Sequence, residues 1–232
     1  MTLTGCLMLH GFTGSPDELA PLAAHLSSRT DWEVAVPVLP GHGGDGDLAD
    51  VSHEEWLQAA EQQLLALKKR HATVHLVGFS MGGLLASCLA AQFDPGKLVL
   101  LAAAGKVLAP LQLSREIARI CFDALTGQLE MNEFYNRMRT KPGAVSWHAS
   151  REFFTVLKRA RKEMKRVRAP VLIAQGRLDG IVPARTAAYL EEELASEEKE
   201  VVLFDSSRHF ICLEDDRDTV NRLVLDFLQK ES

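Results

Sequence analysis

Short apolar runs alternate along this chain with longer stretches in which apolar residues recur every three or four positions. The runs at 3–9, 33–39, 73–79, 97–103, 169–175 and 200–204 predict strands. Helical spacing marks 17–28, 52–70, 81–93, 184–195 and 216–230. Ser52-His53-Glu54-Glu55 has the serine and glutamate of a capping box, which fixes where the second helix starts. Pro37 removes a ladder donor from the second strand, so that strand is expected at an edge or to be irregular. It is closed by the turn residues Pro40-Gly41-His42-Gly43-Gly44.

The rhythm breaks once. Between 106 and 166 there are three helical patterns and no strand: Ile117, Ile120, Cys121 and Leu125 at helical spacing, then 131–139, then 150–166. Strand–helix alternation with right-handed crossovers predicts an α/β fold built on a mostly parallel sheet of about six strands. The core is expected over 1–105 and 167–232, with 106–166 forming a helical cap. The carboxyl ends of parallel strands lie along one edge, where the connecting loops hold a site.

Size and charge narrow this picture. The 232 residues suit one such domain, and 47% apolar with 25% charged residues is a soluble composition. No apolar run approaches the roughly 20 residues of a membrane span. A net charge of −5 argues against a nucleic-acid partner. The first residues lack the charged and apolar regions of a secretory signal, so a cytoplasmic location is expected. Cys6, Cys88, Cys121 and Cys212 are scattered without a C-x-x-C pair, which suits reduced, buried or half-buried thiols rather than disulfides or a zinc site. The subunit count is left open by all of these features.

Candidate chemistry sits where the third strand meets the third helix, at Gly78-Phe79-Ser80-Met81-Gly82-Gly83. A G-x-S-x-G turn between strand and helix presents its serine hydroxyl at the sheet edge. Side chains at Gly78 and Gly82 would collide as the chain reverses. A serine hydroxyl needs a base to take its proton, and the base needs an acid to fix its tautomer. Asp179 follows the fifth strand and His209 follows the sixth, in the order Ser, Asp, His. Asp205 is a rival acid four residues from His209, but Asp179 has the more usual strand position. An oxyanion would be met by the backbone N–H of Met81 and of Phe12, where Gly11 and Gly14 let the loop curl close.

Other features carry milder expectations. His10 and His42 suit loop-bracing hydrogen bonds; His53, His71 and His148 suit the surface or the cap; His75 suits a satisfied buried position within a strand. The cap's basic run, Lys158, Arg159, Arg161, Lys162, Lys165, Arg166 and Arg168, is opposed only by Glu163. It reads either as weak contact with an anionic membrane surface or, preferably, as a solvated helix end matched to its dipole. Ile117, Ile120, Phe122, Phe153, Phe154 and Leu157 either line an acyl pocket or dock the cap, and periodicity gives the same signal for both. Ile181 and Val182, just past Asp179, are the better pocket candidates.

The segments HGFTGSP at 10–16, PGHG at 40–43, GFSMGG at 78–83, GRLDGIVP at 176–183 and SRHF at 207–210 together resemble the α/β-hydrolase superfamily. The similarity is to its small bacterial carboxylesterase and monoacylglycerol-lipase group and covers nearly the whole chain, the insertion standing where that group has its cap. The resemblance implies hydrolysis of short- to medium-chain carboxylic esters or monoacylglycerols, small molecules with an apolar acyl chain, without a metal or cofactor. It implies catalytic roles for Ser80, Asp179 and His209 and oxyanion N–H groups at Phe12 and Met81. The chain departs from the group in starting almost at the HGF strand, without the one or two strands that commonly precede it. Thioester or lysophospholipid hydrolysis on the same scaffold remains an alternative, as does a ligand-binding protein without turnover, although a complete triad argues against the latter.

Overall fold

Six parallel strands form one sheet in the order β2-β1-β3-β4-β5-β6. The computed structural model describes residues 4–44, 46–105 and 147–230. The strands are β1 (Thr4–Leu9), β2 (Glu33–Ala35), β3 (Thr73–Phe79), β4 (Leu98–Leu101), β5 (Val171–Gly176) and β6 (Lys199–Phe204). The described α-helices are α1 (Ala20–Arg29), α2 (His53–Lys68), α3 (Met81–Phe93), α4 (Trp147–Glu163), α5 (Arg185–Glu193) and α6 (Arg217–Gln229).

The central strands are apolar on both faces because helices cover both. Alternation along β1 divides the core. Leu7 and Leu9 join Leu76, Leu98, Leu100 and residues of α2 and α3, whereas Cys6 and Met8 join Val77, Val99, Leu101 and residues of α1 and α6. Ser52 accepts from the Glu55 N–H while the Glu55 carboxylate accepts from the Ser52 N–H, so α2 begins with its capping box closed.

The structure departs from the sequence pattern in several places. The second strand is three residues long at the sheet edge and stops before Pro37, which has no N–H to extend the ladder. Instead of one helix from residue 17, a 3-10 turn at Pro16–Glu18 precedes α1. The Glu18 carboxylate accepts the Gly11 N–H at 2.9 Å, tying this turn to the loop after β1. Of the segment expected to form the cap, only α4 and the 3-10 turn Met164–Arg166 that follows it are described. Ile117, Ile120, Cys121, Phe122, Leu125 and the pattern at 131–139 lie outside the described residues. Helix α4 packs on α2 and α3, burying Ala149, Val156, Leu157 and Ala160.

Two histidines expected on the surface or in the cap instead lie at least partly buried in the core elements. His71 is buried, with Nε2 2.6 Å from Glu33 Oε2, and Glu33 also accepts from Arg70. These two partners, Arg70 first, pull the Glu33 carboxyl down to about 2. His53 is half-buried against α4, its Nδ1 2.6 Å from Glu152 Oε2. The cysteines Cys6, Cys88 and Cys212 are free and buried, and burial pushes each thiol up to about 12.

His75 in β3 also differs. It is buried as expected, but its Nδ1 has no hydrogen-bond partner among the described residues. Burial, and secondarily the Lys97 ammonium, lowers its pKa to about 4. The folded state therefore requires the neutral ring. This contribution is fully present above the unfolded value of 6.5 and is lost as pH falls toward about 4. The loss is at most on the order of 3 kcal/mol. His75→Val should flatten the stability profile over that window in urea titrations, and an unchanged slope would contradict this account.

Candidate active site

The turn from β3 to α3 holds Ser80 at φ 52° and ψ −115°, a region a non-glycine residue enters only under constraint. The constraint is visible. The Ser80 N–H donates to Leu101 O at 2.9 Å, and its carbonyl accepts from Gly83 at 3.1 Å and Ala104 at 3.2 Å. Two glycines let the turn close. A Cβ on Gly82 would lie 2.0 Å from Leu9 O, and one on Gly78 would lie 2.4 Å from Gly82 O. Both obstacles are backbone atoms, so Gly82→Ala should destabilise the fold by about 3 kcal/mol, measured by urea unfolding.

His209 reaches this serine from the loop after β6. Its Nε2 lies 3.1 Å from Ser80 Oγ and its Nδ1 lies 2.7 Å from Asp179 Oδ2. Phe79 and Phe210 flank the imidazole, with ring centroids 5.1 and 5.3 Å away. Asp179 is buried in the loop after β5. Its Oδ1 accepts the N–H groups of Ile181 and Val182, each at 2.8 Å. Its Oδ2 accepts Gln175 Nε2 at 2.8 Å in addition to the imidazole. The cage around this carboxylate consists of donors, so Nδ1 carries the ring proton. Nε2 is then left as an acceptor facing the serine.

Gln175 was not visible as a candidate from apolar periodicity. Its signal is a lone amide in an otherwise apolar buried strand, and it is fully enclosed, also donating to Val182 O at 3.2 Å. Ile181 and Val182 enter through their backbones as donors to Asp179; Val182 is buried and Ile181 half-buried against the core. The rival acid Asp205 is exposed and paired with Arg177 Nε at 2.6 Å.

Met81 is the first residue of α3, so its N–H is among those no intrahelical carbonyl takes. Phe12 lies in the loop leaving β1, which is pinned by Glu18 on Gly11 and by the 3.1 Å bond from the Gly14 N–H to Gly11 O. Its ring lies 5.9 Å from Trp56, 6.2 Å from His42 and 5.2 Å from Phe153 of α4. His10 braces this region, its Nε2 accepting the Leu39 N–H at 3.1 Å and its Nδ1 lying 3.0 Å from Gly11 O. His42 Nδ1 lies 2.9 Å from Pro40 O. A buried hydroxyl beside an imidazole and a caged carboxylate can act as a nucleophile, and free N–H groups at a helix start can receive an oxyanion. Among the described residues, no group of three or more His, Cys, Asp or Glu side chains is arranged to hold a metal ion.

Comparison with known proteins gives a consistent picture. A model described as the alpha/beta hydrolase family matches residues 6–223. The chain is 27% identical to a thermostable monoacylglycerol lipase of Bacillus sp. strain H-257, over 98% of this chain and 91% of the relative. It is 24% identical to a carboxylesterase of Bacillus subtilis strain 168, covering 97% and 92% of the two chains. Among solved structures, one reported with the metagenome-derived lipolytic enzymes LipS and LipT superposes with a TM-score of 0.80 at 23% identity, over 99% of this chain and 95% of that one. The monoacylglycerol lipase of Paleococcus ferrophilus superposes with a TM-score of 0.74 at 20% identity, over 97% and 93%.

Proposed function

Because this chain belongs to the alpha/beta hydrolase family, we propose that Ser80, His209 and Asp179 are its catalytic triad and that it cleaves carboxylic esters with short- to medium-length apolar acyl chains, monoacylglycerols included. Its relatives make it a hydrolase of the esterase and monoacylglycerol-lipase type. The observation that carries the finer reading is the continuous path from Ser80 Oγ through the imidazole to the Asp179 carboxylate, 3.1 Å and then 2.7 Å, with the serine on a constrained turn.

In this reading His209 Nε2 takes the Ser80 proton as Oγ attacks the ester carbonyl carbon. Asp179 holds the imidazole tautomer and offsets the charge it acquires. The Phe12 and Met81 N–H groups receive the tetrahedral oxyanion, where one missing donor costs about 3–4 kcal/mol of barrier. His209 protonates the departing alcohol. Water then attacks the acyl carbon, giving its proton to Nε2; the bond from that carbon to Oγ breaks, the imidazolium returns the proton to Oγ, and the acid leaves. Ile181 and Val182 contribute to the pocket wall, and α4, the described part of the expected cap, flanks it through Phe153 beside Phe12.

Gln175 is a positioning residue in this scheme. Gln175→Leu removes a donor from Asp179 Oδ2 and leaves that oxygen more electron-rich toward the imidazole. We expect kcat to fall roughly tenfold, as for one charge-assisted hydrogen bond, with KM unchanged. A lower melting temperature with kcat unchanged would reduce Gln175 to a structural role.

The substrate reading is tested with p-nitrophenyl esters and monoacylglycerols from two to sixteen carbons, beside matched thioesters and lysophospholipids. A maximum of kcat/KM among short to medium acyl esters is expected. Preference for the thioester or the lysophospholipid would replace the substrate while leaving the triad in place.

A further inference from the structure

We propose that the outward face of helix α4 docks the protein onto anionic lipid surfaces. The stripe consists of Trp147, Arg151, Phe154, Lys158 and Lys162, all exposed, at steps of four, three, four and four residues. That spacing puts them on one face of a helix, extending about 22 Å along its axis. The opposite face buries Ala149, Glu152, Val156 and Ala160. Trp147 is 86% exposed and Phe154 is 54% exposed.

The cations of this region divide into two sets. Arg161 donates to Gly105 O and lies over the Tyr189 ring, Lys165 pairs with Glu193, and Arg166 pairs with Glu163. These do structural jobs. The remaining cations have no ion pair among the described residues; of these, Arg151, Lys158 and Lys162 share the stripe with the aromatics, whereas Arg159 and Arg168 stand off it. No acid shares it: of the two acids in α4, Glu152 turns inward to His53 and Glu163 to Arg166. The positive stripe stands on a chain whose net charge is −5, so it is a local feature rather than the general character of the surface.

Exposed indole and phenyl rings beside unpaired cations match the two layers of a membrane interface. Rings enter the headgroup–acyl boundary while long cationic stems reach lipid phosphates. A solvated helix end would account for the cations but leaves two exposed rings on their face unexplained. Of the three other exposed large apolar residues among those described, Leu65 lies on α2, and Val38 and Leu178 stand in loops at the carboxyl edge of the sheet, the edge that holds Ser80. The half of α4 that carries both rings is also the half whose Phe153 touches Phe12. Docking along this face would present the site to lipid-borne substrate.

The test uses the full chain with phosphatidylcholine vesicles, with and without one-third phosphatidylglycerol, at low and physiological salt. We expect sedimentation with the anionic vesicles only, weakened by salt, and a blue shift of tryptophan emission that Trp147→Ser removes. Each cation near such a surface strengthens partition roughly fivefold. The triple variant Arg151→Gln/Lys158→Gln/Lys162→Gln should therefore bind on the order of 100-fold more weakly. It should keep the wild-type melting temperature and hydrolysis of a soluble p-nitrophenyl ester. Equal binding to neutral and anionic vesicles, or wild-type binding by the triple variant, would overturn the proposal. So would a wild-type dimer in sedimentation velocity that Trp147→Ser dissolves, since the face would then belong to a second copy. Partition is read without turnover, so it stands or falls independently of the esterase reading.

Discussion

Ser80→Ala should reduce ester turnover by roughly 10⁴- to 10⁶-fold while leaving the fold intact. The substitution removes one oxygen, the atom 3.1 Å from His209 Nε2. Everything that shapes the turn is backbone: the bond to Leu101 O and the bonds from Gly83 and Ala104 survive the change. Alanine at φ 52° carries the same constraint as serine, so no strain is relieved. The stability change is therefore that of one hydrogen bond, about 1 kcal/mol. Burst kinetics with a p-nitrophenyl ester and a thermal melt read the two quantities together. A variant that keeps a tenth of wild-type activity would remove Ser80 from the mechanism.

Asp179→Asn should lower kcat by roughly 10⁴-fold with little change in KM. The carboxylate is enclosed by donors: Ile181 and Val182 N–H on Oδ1, Gln175 and the imidazole on Oδ2. An amide cannot satisfy that cage in either orientation. With its nitrogen at Oδ2, it meets the Gln175 amide and presents a donor to His209 Nδ1. The ring then shifts its proton to Nε2, where it can no longer accept from Ser80. With its nitrogen at Oδ1, it meets two backbone N–H groups. A stability loss of about 1–3 kcal/mol should accompany the kinetic one. Full activity in this variant would hand the role to another carboxylate. Asp205 is the obvious rival, and its pairing with Arg177 argues against it.

The parts of this molecule legible in the sequence are those set by local rules. The third strand and the helix after it have the limits expected from the pattern, Thr73–Phe79 and Met81–Phe93, because a run of β-formers meets an obligatory Gly-x-Ser-x-Gly turn. The start of α2 was fixed by its capping box. Where local signals compete, the pattern overran. Apolar residues continue past Pro37, but a ladder cannot, so β2 is short. Burial of His71 depends on Glu33, 38 residues away in sequence, and periodicity carries no information about such pairings. The same holds for Gln175, whose purpose becomes visible only when the loop beyond it folds back with Asp179. Candidate site residues were legible for a different reason. Their chain order and their positions after β3, β5 and β6 place three functional groups at one edge of a parallel sheet. The proton tautomer, the donor cage and the ring contacts around them are tertiary facts.

The most direct measurement is covalent labelling by a fluorophosphonate followed by digestion and mass spectrometry. An activated serine attacks phosphorus in the way it attacks an ester carbonyl. The account expects a single adduct on Ser80 of the wild type and sharply slower labelling of Asp179→Asn. An adduct confined to another serine, or an unlabelled Ser80 in a preparation that hydrolyses esters, would contradict it.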